Sequence, residues 1–295
     1  MTNRLATNED IPNLKEQGRA YKLFRRILRS RNVTIGGFVL IVIVLLVTIA
    51  PSITPYGPTE QLRRNRLEAP SAQHLFGTDN LGRDILTRVL YGGRVSLQVG
   101  LFSVAIGATT GTILGLISGY YGRWADIIIM RLIDVMLAFP GILLALAIIA
   151  VLGRDLQNVM IAVGVSSIPV YTRIVRGSTL SIREFDYVLA AKALGIPDYR
   201  ILFFHILPNI MAPIIVVSTN GIAGAIIAGA ALSFLGLGAQ PPDPEWGLML
   251  AQGREYIRVA AWVTTFPGLA IMITVLAINL LGDGLRDILD PRLRI

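Results

Sequence analysis

Long runs of apolar residues separated by short polar segments organise this chain. The runs cover about residues 33–49, 95–118, 126–152, 157–175, 210–236 and 260–281. At about 1.5 Å of rise per residue, each run forms a helix long enough to cross about 30 Å of hydrocarbon. We therefore predict an all-α polytopic membrane protein with six transmembrane helices.

The amino-acid composition is typical of a membrane protein, and it argues against disulfides, metal sites and nucleic-acid binding. Of the 295 residues, 53% are apolar and only 16% are charged, with a mean hydropathy of +0.62. The absence of Cys excludes disulfides and thiolate metal sites, and two His leave little material for imidazole ligands, so we expect no bound metal. The net charge of +8 is attributed to Lys and Arg on the cytoplasmic side rather than to nucleic-acid binding.

The polar segments between the runs predict the topology. Pro51 directly follows Ala50, which disfavours signal cleavage, so the first run is interpreted as an uncleaved span. Lys and Arg are denser in the segments placed inside, and an even number of spans puts both termini in the cytoplasm. We predict a cytoplasmic arm at 1–32, a first transmembrane helix at 33–53, an extracytoplasmic segment at 54–94, a five-helix core at 95–283 and a cytoplasmic tail at 284–295.

Two groups of charged residues allow either a functional or a structural interpretation. His74, Asp79, Arg83 and Asp84 lack calcium-loop or zinc spacing, which favours a hydrogen-bonded turn leading into a helix over a metal or catalytic site. Asp126, Arg131 and Asp134 lie near the cytoplasmic start of the third span. Intramembrane charges are functional candidates by default, but snorkelling or an internal ion pair is the favoured explanation there.

Small residues recur at every fourth position of two spans. Such ridges let helix backbones approach closely in lipid, where no hydrophobic force drives association. The neighbour of the second-span ridge is a helix of the same chain or of a partner subunit. The candidate packing residues are Ser103, Gly107, Gly111, Gly115 and Gly119 in the second span, and Gly221, Ala225 and Gly229 in the fifth.

The outer segment between the last two spans is rich in proline. We expect a short interfacial helix from about Trp246 to Ile257 that closes the outer mouth as a gate or a lid, with Trp246 at the level of the lipid headgroups. The candidate gate residues are Pro241, Pro242, Glu245 and Trp246.

The segment 177–208 is too charged for a bilayer but is patterned like two short helices. Gly195, with Pro197 just beyond, is typical of a helix C-terminus, and a second amphipathic series from Tyr199 to Leu207 runs into Pro208. After four spans it lies in the cytoplasm. We expect it to be a docking surface for another protein.

The chain lacks the motifs of a self-powered transporter or an enzyme. None of its three lysines stands in the Gly-Lys-Ser/Thr sequence that a P-loop needs, and neither His lies within a span, where an intramembrane serine protease would need one. The middle of the spans is essentially uncharged, which weakens the interpretation as an ion-coupled carrier. Energy is therefore expected from another chain.

The cytoplasmic segment resembles the "EAA" loop of ABC-importer permeases. That loop has Glu-Ala-Ala, three residues, Gly, nine residues, Ile, any residue and Leu-Pro. In this chain Leu189 replaces the family's Glu and His205 its Ile, so a polar contact made by that Glu would fall to a neighbour such as Asp186 or Lys192. The matching positions are Ala190, Ala191, Gly195, Leu207 and Pro208.

Longer strings resemble the C-type permease of the dipeptide/oligopeptide/nickel branch of that family. They are HLFGTDNLGRDILTRVLYGGR at 74–94, LSFLGLGAQPPDPEWGLML at 232–250 and NLLGDGLRDILDPRLR at 279–294. The resemblance implies a type I ABC importer permease (MetI-like) fold with cytoplasmic coupling helices. It also implies that the loop couples ATP hydrolysis to transport, with Phe203 and Phe204 packing it against the membrane domain. The implied coupling residues are Glu184, Asp186, Ala190, Ala191, Lys192, Gly195, His205, Leu207 and Pro208.

The same resemblance implies the setting of the protein. A bacterial inner-membrane location is expected, with a homologous B-type permease, two cytoplasmic ATP-binding subunits, an extracytoplasmic solute-binding protein and membrane lipid as partners. No cofactor is expected on this chain, because ATP and Mg²⁺ would bind the ATPase subunits. The cargo would be dipeptides or oligopeptides, with glutathione and nickel chelates also open. The alternative function is a stand-alone channel or secondary carrier for small solutes.

Overall fold

The apolar runs fold into helices that pack side by side. The computed structural model describes residues 30–62 and 64–289, and within these ranges it contains helices, turns and one isolated bridge but no strand. The predicted arm at 1–32 lies outside these ranges except for its last three residues, as do residues 290–295 of the predicted tail. In chain order the helices are α1 (Arg31–Thr48), α2 (Ala50–Ile53), α3 (Ile85–Tyr121), α4 (Arg123–Leu137), α5 (Gly141–Leu152), α6 (Leu156–Ile182), α7 (Asp186–Ala193), α8 (Asp198–Phe234), α9 (Trp246–Gly253) and α10 (Trp262–Leu289).

Five of these helices, α1, α3, α6, α8 and α10, are long and apolar enough to cross a membrane. The bent pair of α4 and α5 makes a sixth candidate if it is counted as one span. The prediction of an all-α polytopic membrane protein is confirmed for the part of the chain that the structure describes.

The third predicted span, 126–152, is not one straight helix. Its halves α4 and α5 are bent by 92° at the break between Leu137 and Gly141. Pro140 explains the break, because it has no N–H to donate and its ring clashes with the carbonyl of Met136 in a continuing helix. The expectation of a single continuous helix is therefore wrong, although the apolar pattern located both halves.

The most extensive helix–helix contact among the described residues joins α3 to α6. A Cβ added at Gly115 would lie 2.7 Å from Val175 Cβ, and one added at Gly119 would lie 2.7 Å from Thr179 Cβ. At the other end of the ridge, Ser103 Oγ donates to the carbonyl of Met160 at 3.0 Å. The ridge of small residues therefore packs against a helix of the same chain.

The fifth-span ridge lies on α8 and faces α3 and α6. A Cβ at Gly221 would lie 2.7 Å from the Tyr171 hydroxyl oxygen, and one at Gly229 would lie 2.5 Å from Val99 Cγ1. Ala225 belongs to the same buried cluster as Val99 and Tyr171. Helices α3, α6 and α8 thus share one core.

The first span packs on the last one. A Cβ at Gly36 of α1 would lie 2.6 Å from the carbonyl oxygen of Ala277, so only glycine allows this approach to α10. The other faces of α1 carry exposed side chains such as Phe38, Ile41 and Leu45. This exposure suits a peripheral helix surrounded by lipid.

The polar segment before α3 folds as a hydrogen-bonded turn, the favoured interpretation of its charged residues. Asp79 accepts from the backbone N–H groups of Leu81 and Arg83 and from Arg83 Nε at 2.6 Å. Asp84 caps α3 by accepting from Thr87 N, and His74 Nδ1 lies 2.9 Å from Asp84 Oδ1. No group of three or more potential metal-ligating His, Cys, Asp or Glu residues occurs among the described residues.

The α3–α6 contact predicts a steric effect of adding one methyl group. Gly115→Ala should lower the free energy of unfolding by about 1–3 kcal/mol, because the new Cβ would overlap α6. Gly177→Ala is the matched control, since nothing lies within 4 Å of a Cβ at this helical position; it should leave stability unchanged or raise it by about 1 kcal/mol. Thermal unfolding of both variants in detergent measures the difference, and equal midpoints would contradict the close packing.

Candidate functional site

Helix α7 forms the first half of the segment 177–208, which we call the loop. Asp186 stands in its first turn and Lys192 in its last, where each charge is favourable for the helix dipole. At the C-terminus, Ile196 N donates to Ala191 O at 3.1 Å and Gly195 N donates to Lys192 O at 3.0 Å. This hydrogen-bond pair requires a left-handed residue, and Gly195 has φ +72°. The helix therefore ends at a defined reversal, where the sequence predicts it.

The second half of the loop is not a separate short helix. Helix α8 continues through the predicted stop at Pro208, and a wider π-helical turn, Ile201–Ile206, precedes that proline. In a regular α-helix Pro208 would leave the carbonyl of Phe204 unbonded and clash with it, so the π turn shifts the hydrogen-bond register and lets the helix continue. The second half of the loop and the fifth span form one continuous helix of 37 residues, about 55 Å long.

One face of the loop is buried against the membrane-spanning helices. Val188 and Ala191 of α7 and Ile201, Leu202 and Ile206 of α8 pack with one another. This cluster, the loop core, also includes Leu116 of α3, Val175 of α6 and Ile210 and Ile214 of α8. Since Ile201 and Ile206 are fully buried, the loop is held by close packing against α3, α6 and the first turns of α8.

Polar contacts add directional restraints to the loop core. Tyr120 Oη donates to Asp198 Oδ1 at 2.7 Å, which ties the end of α3 to the start of α8. Arg183 donates from Nη1 to the carbonyl of Gly119 at 2.8 Å and from Nε to Glu184 at 2.9 Å. The bond to Gly119 joins the end of α6 to the end of α3. The loop is therefore restrained in direction as well as in position.

The opposite side of the loop leaves large apolar side chains exposed. Leu194, at the tip, is 81% exposed and Phe204 is 72% exposed. The expectation that Phe203 and Phe204 pack the loop against the membrane domain is wrong, because the neighbouring isoleucines on the other side of the π turn do so. We call the set the exposed loop residues: Phe185, Tyr187, Leu189, Leu194, Tyr199, Phe203 and Phe204.

The predicted coupling residues divide between these two sides. Ala191 is in the loop core and Leu207 packs against it. His205 is half-buried, with its Nδ1 3.4 Å from the carbonyl of Arg200. The rest are exposed: Glu184, Asp186, Ala190, Lys192, Gly195 and Pro208.

Of the four predicted outer gate residues, two are buried inside the protein and two are exposed. Trp246, expected at the level of the lipid headgroups, is buried inside the protein: it is 2% exposed, and its Nε1 donates to the carbonyl of Val89 at 2.8 Å. Glu245 is equally buried and caps α9 by accepting from the N–H groups of Gly247 and Leu248. Pro241 and Pro242 are exposed.

The burial of Trp246 depends on two glycines of α3. A Cβ at Gly93 would lie 3.0 Å from the indole Cζ2 atom, and one at Gly92 would lie 3.4 Å from its Cδ1 atom. The adjacent pair Gly92-Gly93 was the signal in the sequence for a large side chain packed there. Sequence reasoning assigned it no role.

The charges of the third span find partners on α6. Asp126 accepts two bonds from Arg176, from Nε and Nη2, each at 2.6 Å. Asp134 accepts from Arg173 Nη2 at 2.8 Å. The expected ion pairing occurs, but between helices rather than within one. The signal was available in the sequence, because two arginines stand at the end of the fourth span and two aspartates at the start of the third, ends that adjacent antiparallel helices place on the same side.

Two family models match the chain. Residues 111–295 match the model described as "Binding-protein-dependent transport system inner membrane component". Residues 21–70 match the model described as "N-terminal TM domain of oligopeptide transport permease C".

Curated relatives cover nearly the whole chain. The dipeptide transport system permease protein DppC of Alkalihalophilus pseudofirmus is 50% identical over 92% of this chain and 89% of its own. The glutathione transport system permease protein GsiD of Pectobacterium atrosepticum is 48% identical over 92% of this chain and 91% of its own. The di/tripeptide transport system permease protein DppC of Pseudomonas aeruginosa is 48% identical over 88% of each.

A solved structure shares the fold at low sequence identity. A chain of the MetNI methionine ABC transporter, in an inward-facing conformation, superposes with a TM-score of 0.54 at 19% identity. The match covers 68% of this chain and 95% of that one. The MetI-like fold expected from the sequence is thereby confirmed.

Proposed function

The chain belongs to the family of binding-protein-dependent transport system inner membrane components, and we propose that it carries short peptides through the membrane by alternating access driven from its cytoplasmic loop. It is a multi-pass translocation subunit of an ABC importer and not itself an enzyme. The observation that carries the proposed mechanism is the seating of the loop core on the ends of three membrane helices.

ATP hydrolysis belongs to partner subunits in this proposal. The chain has no P-loop lysine of its own, so ATP and Mg²⁺ are assigned to two cytoplasmic ATP-binding subunits. Closure of those subunits would push on α7. Because α7 packs on the first turns of α8 and α8 continues into the membrane without a break, the push would tilt the fifth span.

The exposed loop residues are the proposed contact with an ATP-binding subunit. Exposed apolar patches rimmed by polar residues mark interaction sites, and aromatic side chains contribute strongly to binding at such sites. Leu189, at the position of the family's Glu, is among them and is 47% exposed. We propose that its contact with the ATPase is apolar, and that Asp186 and Lys192 supply the polar contacts nearby.

The six-span topology leads to proposals for the orientation in the membrane, the solute-binding protein and the second permease. We propose that both termini and residues 177–208 are cytoplasmic and that residues 54–94 are extracytoplasmic, facing a solute-binding protein. The second-span ridge is used inside this chain, so a homologous B-type permease must bind another surface. The buried Glu245 and Trp246 favour a fixed lid over a freely moving gate at the outer end.

Short peptides are the proposed cargo because of the relatives. Two of them, 50% and 48% identical, are named for dipeptide and di/tripeptide transport. A third, 48% identical, is named for glutathione, itself a tripeptide derivative. The shared chemistry is a short amide chain with charged ends.

A reconstitution experiment tests the proposed function. The complete transporter in proteoliposomes should take up a labelled tripeptide only with ATP and the solute-binding protein present, because the force originates outside this chain. Uptake by vesicles containing this chain alone would support a channel or carrier instead. Vesicles with the ATPase subunits omitted are the control.

Replacing Gly195 by a β-branched residue is expected to uncouple ATP hydrolysis from transport. Gly195→Val should lower peptide uptake per ATP hydrolysed about tenfold, since a β-branched residue at φ +72° costs about 1–3 kcal/mol and disturbs the end of α7. Nothing lies within 4 Å of a Cβ here, so Gly195→Asn, which tolerates the left-handed region, should retain coupling. Equal coupling in both variants would count against the loop as the coupling element.

The exposed side chain of Leu194 is expected to contribute to the binding of the ATP-binding subunits. Leu194→Asp should weaken co-purification of the ATP-binding subunits about tenfold, because a charge would replace apolar contact at the tip of the loop. Val259→Asp, at a 71% exposed position in the segment between α9 and α10, is the control and should leave binding unchanged. Titration of the ATPase subunits against each permease variant in detergent gives the comparison; the same affinity for both would refute the proposed contact.

A further inference from the structure

An apolar cavity lies between α1, α3 and α10, near the end of α1 that leads into α2. Its volume is about 430 Å³, within the range of about 300–1,000 Å³ that is typical of ligand sites. Trp246, the first residue of α9, forms part of its wall, together with side chains such as Val89 and Ile273. The cavity is thus large enough to hold a ligand.

Helix α1 is attached to the rest of the protein at two places, and the cavity begins between them. At the first, a Cβ added at Gly36 would lie 2.6 Å from the carbonyl oxygen of Ala277 in α10. At the second, Arg94 of α3 donates from Nε to the carbonyl of Val47 at 2.9 Å. Ile43 stands between these two attachments and lines the cavity. The cavity is therefore a gap in the packing of α1 against α10 and α3.

The polar side-chain groups in the cavity wall are already hydrogen-bonded within the protein. Thr274 Oγ1 donates to the carbonyl of Ala270 at 2.7 Å, and Trp246 Nε1 donates to the carbonyl of Val89 at 2.8 Å. The other side chains of the wall are apolar. A buried water molecule needs about two to four polar partners. Water is therefore a poor occupant of this cavity.

The cavity opens toward the surroundings of the spans. Leu46, Ile53, Leu269 and Ile273 of its wall are between 39% and 45% exposed. A helix of about 10 Å diameter and 5.4 Å pitch fills roughly 400 Å³ per turn, so the cavity has room for about one turn of a neighbouring subunit's helix and not for a whole span. An acyl chain of the bilayer is narrow, flexible and apolar throughout. It is the occupant that agrees with both the size and the chemistry of the cavity.

We propose that one acyl chain of a membrane phospholipid binds in this cavity. The acyl chain packs between α1 and α10 and adds the dispersion contacts that the two helices do not make with each other there. Because Trp246 begins α9, the same acyl chain also lies against the lid between α8 and α10. This lipid site is separate from the loop and does not depend on the identity of the cargo.

Photochemical labelling tests the lipid site in the complete transporter. The transporter is reconstituted in vesicles of phosphatidylcholine that carries a diazirine in one acyl chain, and the labelled residues are identified by mass spectrometry after illumination. Leu90, a half-buried residue of the cavity wall, should be labelled. Ala270→Phe should lower this labelling about fivefold, because the phenyl ring would take the space of the acyl chain. Labelling of Phe38, an exposed residue of α1 that does not line the cavity, should stay unchanged.

Two further variants separate filling of the cavity from a general effect of an added ring. Ile43→Phe fills the cavity from the side of α1 and should also lower the labelling of Leu90, which keeps the test decisive if Ala270→Phe does not fold. Met272→Phe is the matched control, since it places the ring at a 50% exposed position of α10 outside the cavity and should leave the labelling unchanged.

Three results would overturn the lipid site. Labelling of Phe38 without labelling of Leu90 in the wild type would show that acyl chains do not enter the cavity. Labelling of Leu90 in vesicles of this chain alone, but not in the complete transporter, would assign the cavity to a contact with another subunit. Equal labelling of Leu90 in the wild type and in both filling variants would show that the label reaches Leu90 from outside the cavity.

Discussion

The close approach of α3 to α6 is the contact on which the rest of the molecule depends. In a bilayer, apolar side chains gain nothing by leaving lipid for protein, so helices associate through dispersion forces at short distance. A column of glycines removes the side chains that would keep the backbones apart, and the two helices meet closely from Ser103 to Gly119 of α3. The third helix of the core, α8, then packs against both through its own small residues.

This contact also supports the loop. The loop core includes Leu116 of α3 and Val175 of α6, which lie at the last turns of the ridge, so the position of the loop depends on that pair of helices. Hydrogen bonds from Tyr120 and Arg183 hold the loop to the same two helix ends. In the proposed function, a force on α7 would act on the ends of α3 and α6 and on the continuous helix α8. The packing and the polar contacts together fix the loop to these helices.

The errors in the sequence interpretation have a common physical origin. The apolar character of Trp246, Phe203 and Phe204 indicates that each side chain has an apolar neighbour. It does not indicate whether that neighbour is this chain, lipid or another protein. Trp246 is buried because two glycines of α3 leave room for its ring, and the phenylalanines are exposed because a π turn rotates the isoleucines beside them into the core. The effect of a proline on its helix also differed between positions. Pro140 breaks a span, whereas Pro208 is absorbed inside a continuous helix.

The sequence by itself determined the membrane class, the approximate positions of the spans, the helix end at Gly195 and the family, because hydropathy, helix punctuation and motif spacing are local properties. It also indicated that the energy comes from elsewhere. Only the tertiary structure decided which helix faces the glycine ridge, which side of the loop is free, and which aspartate each arginine neutralises. Those are relations between segments far apart in the chain. They depend on how close the backbones come, and no single segment encodes that distance.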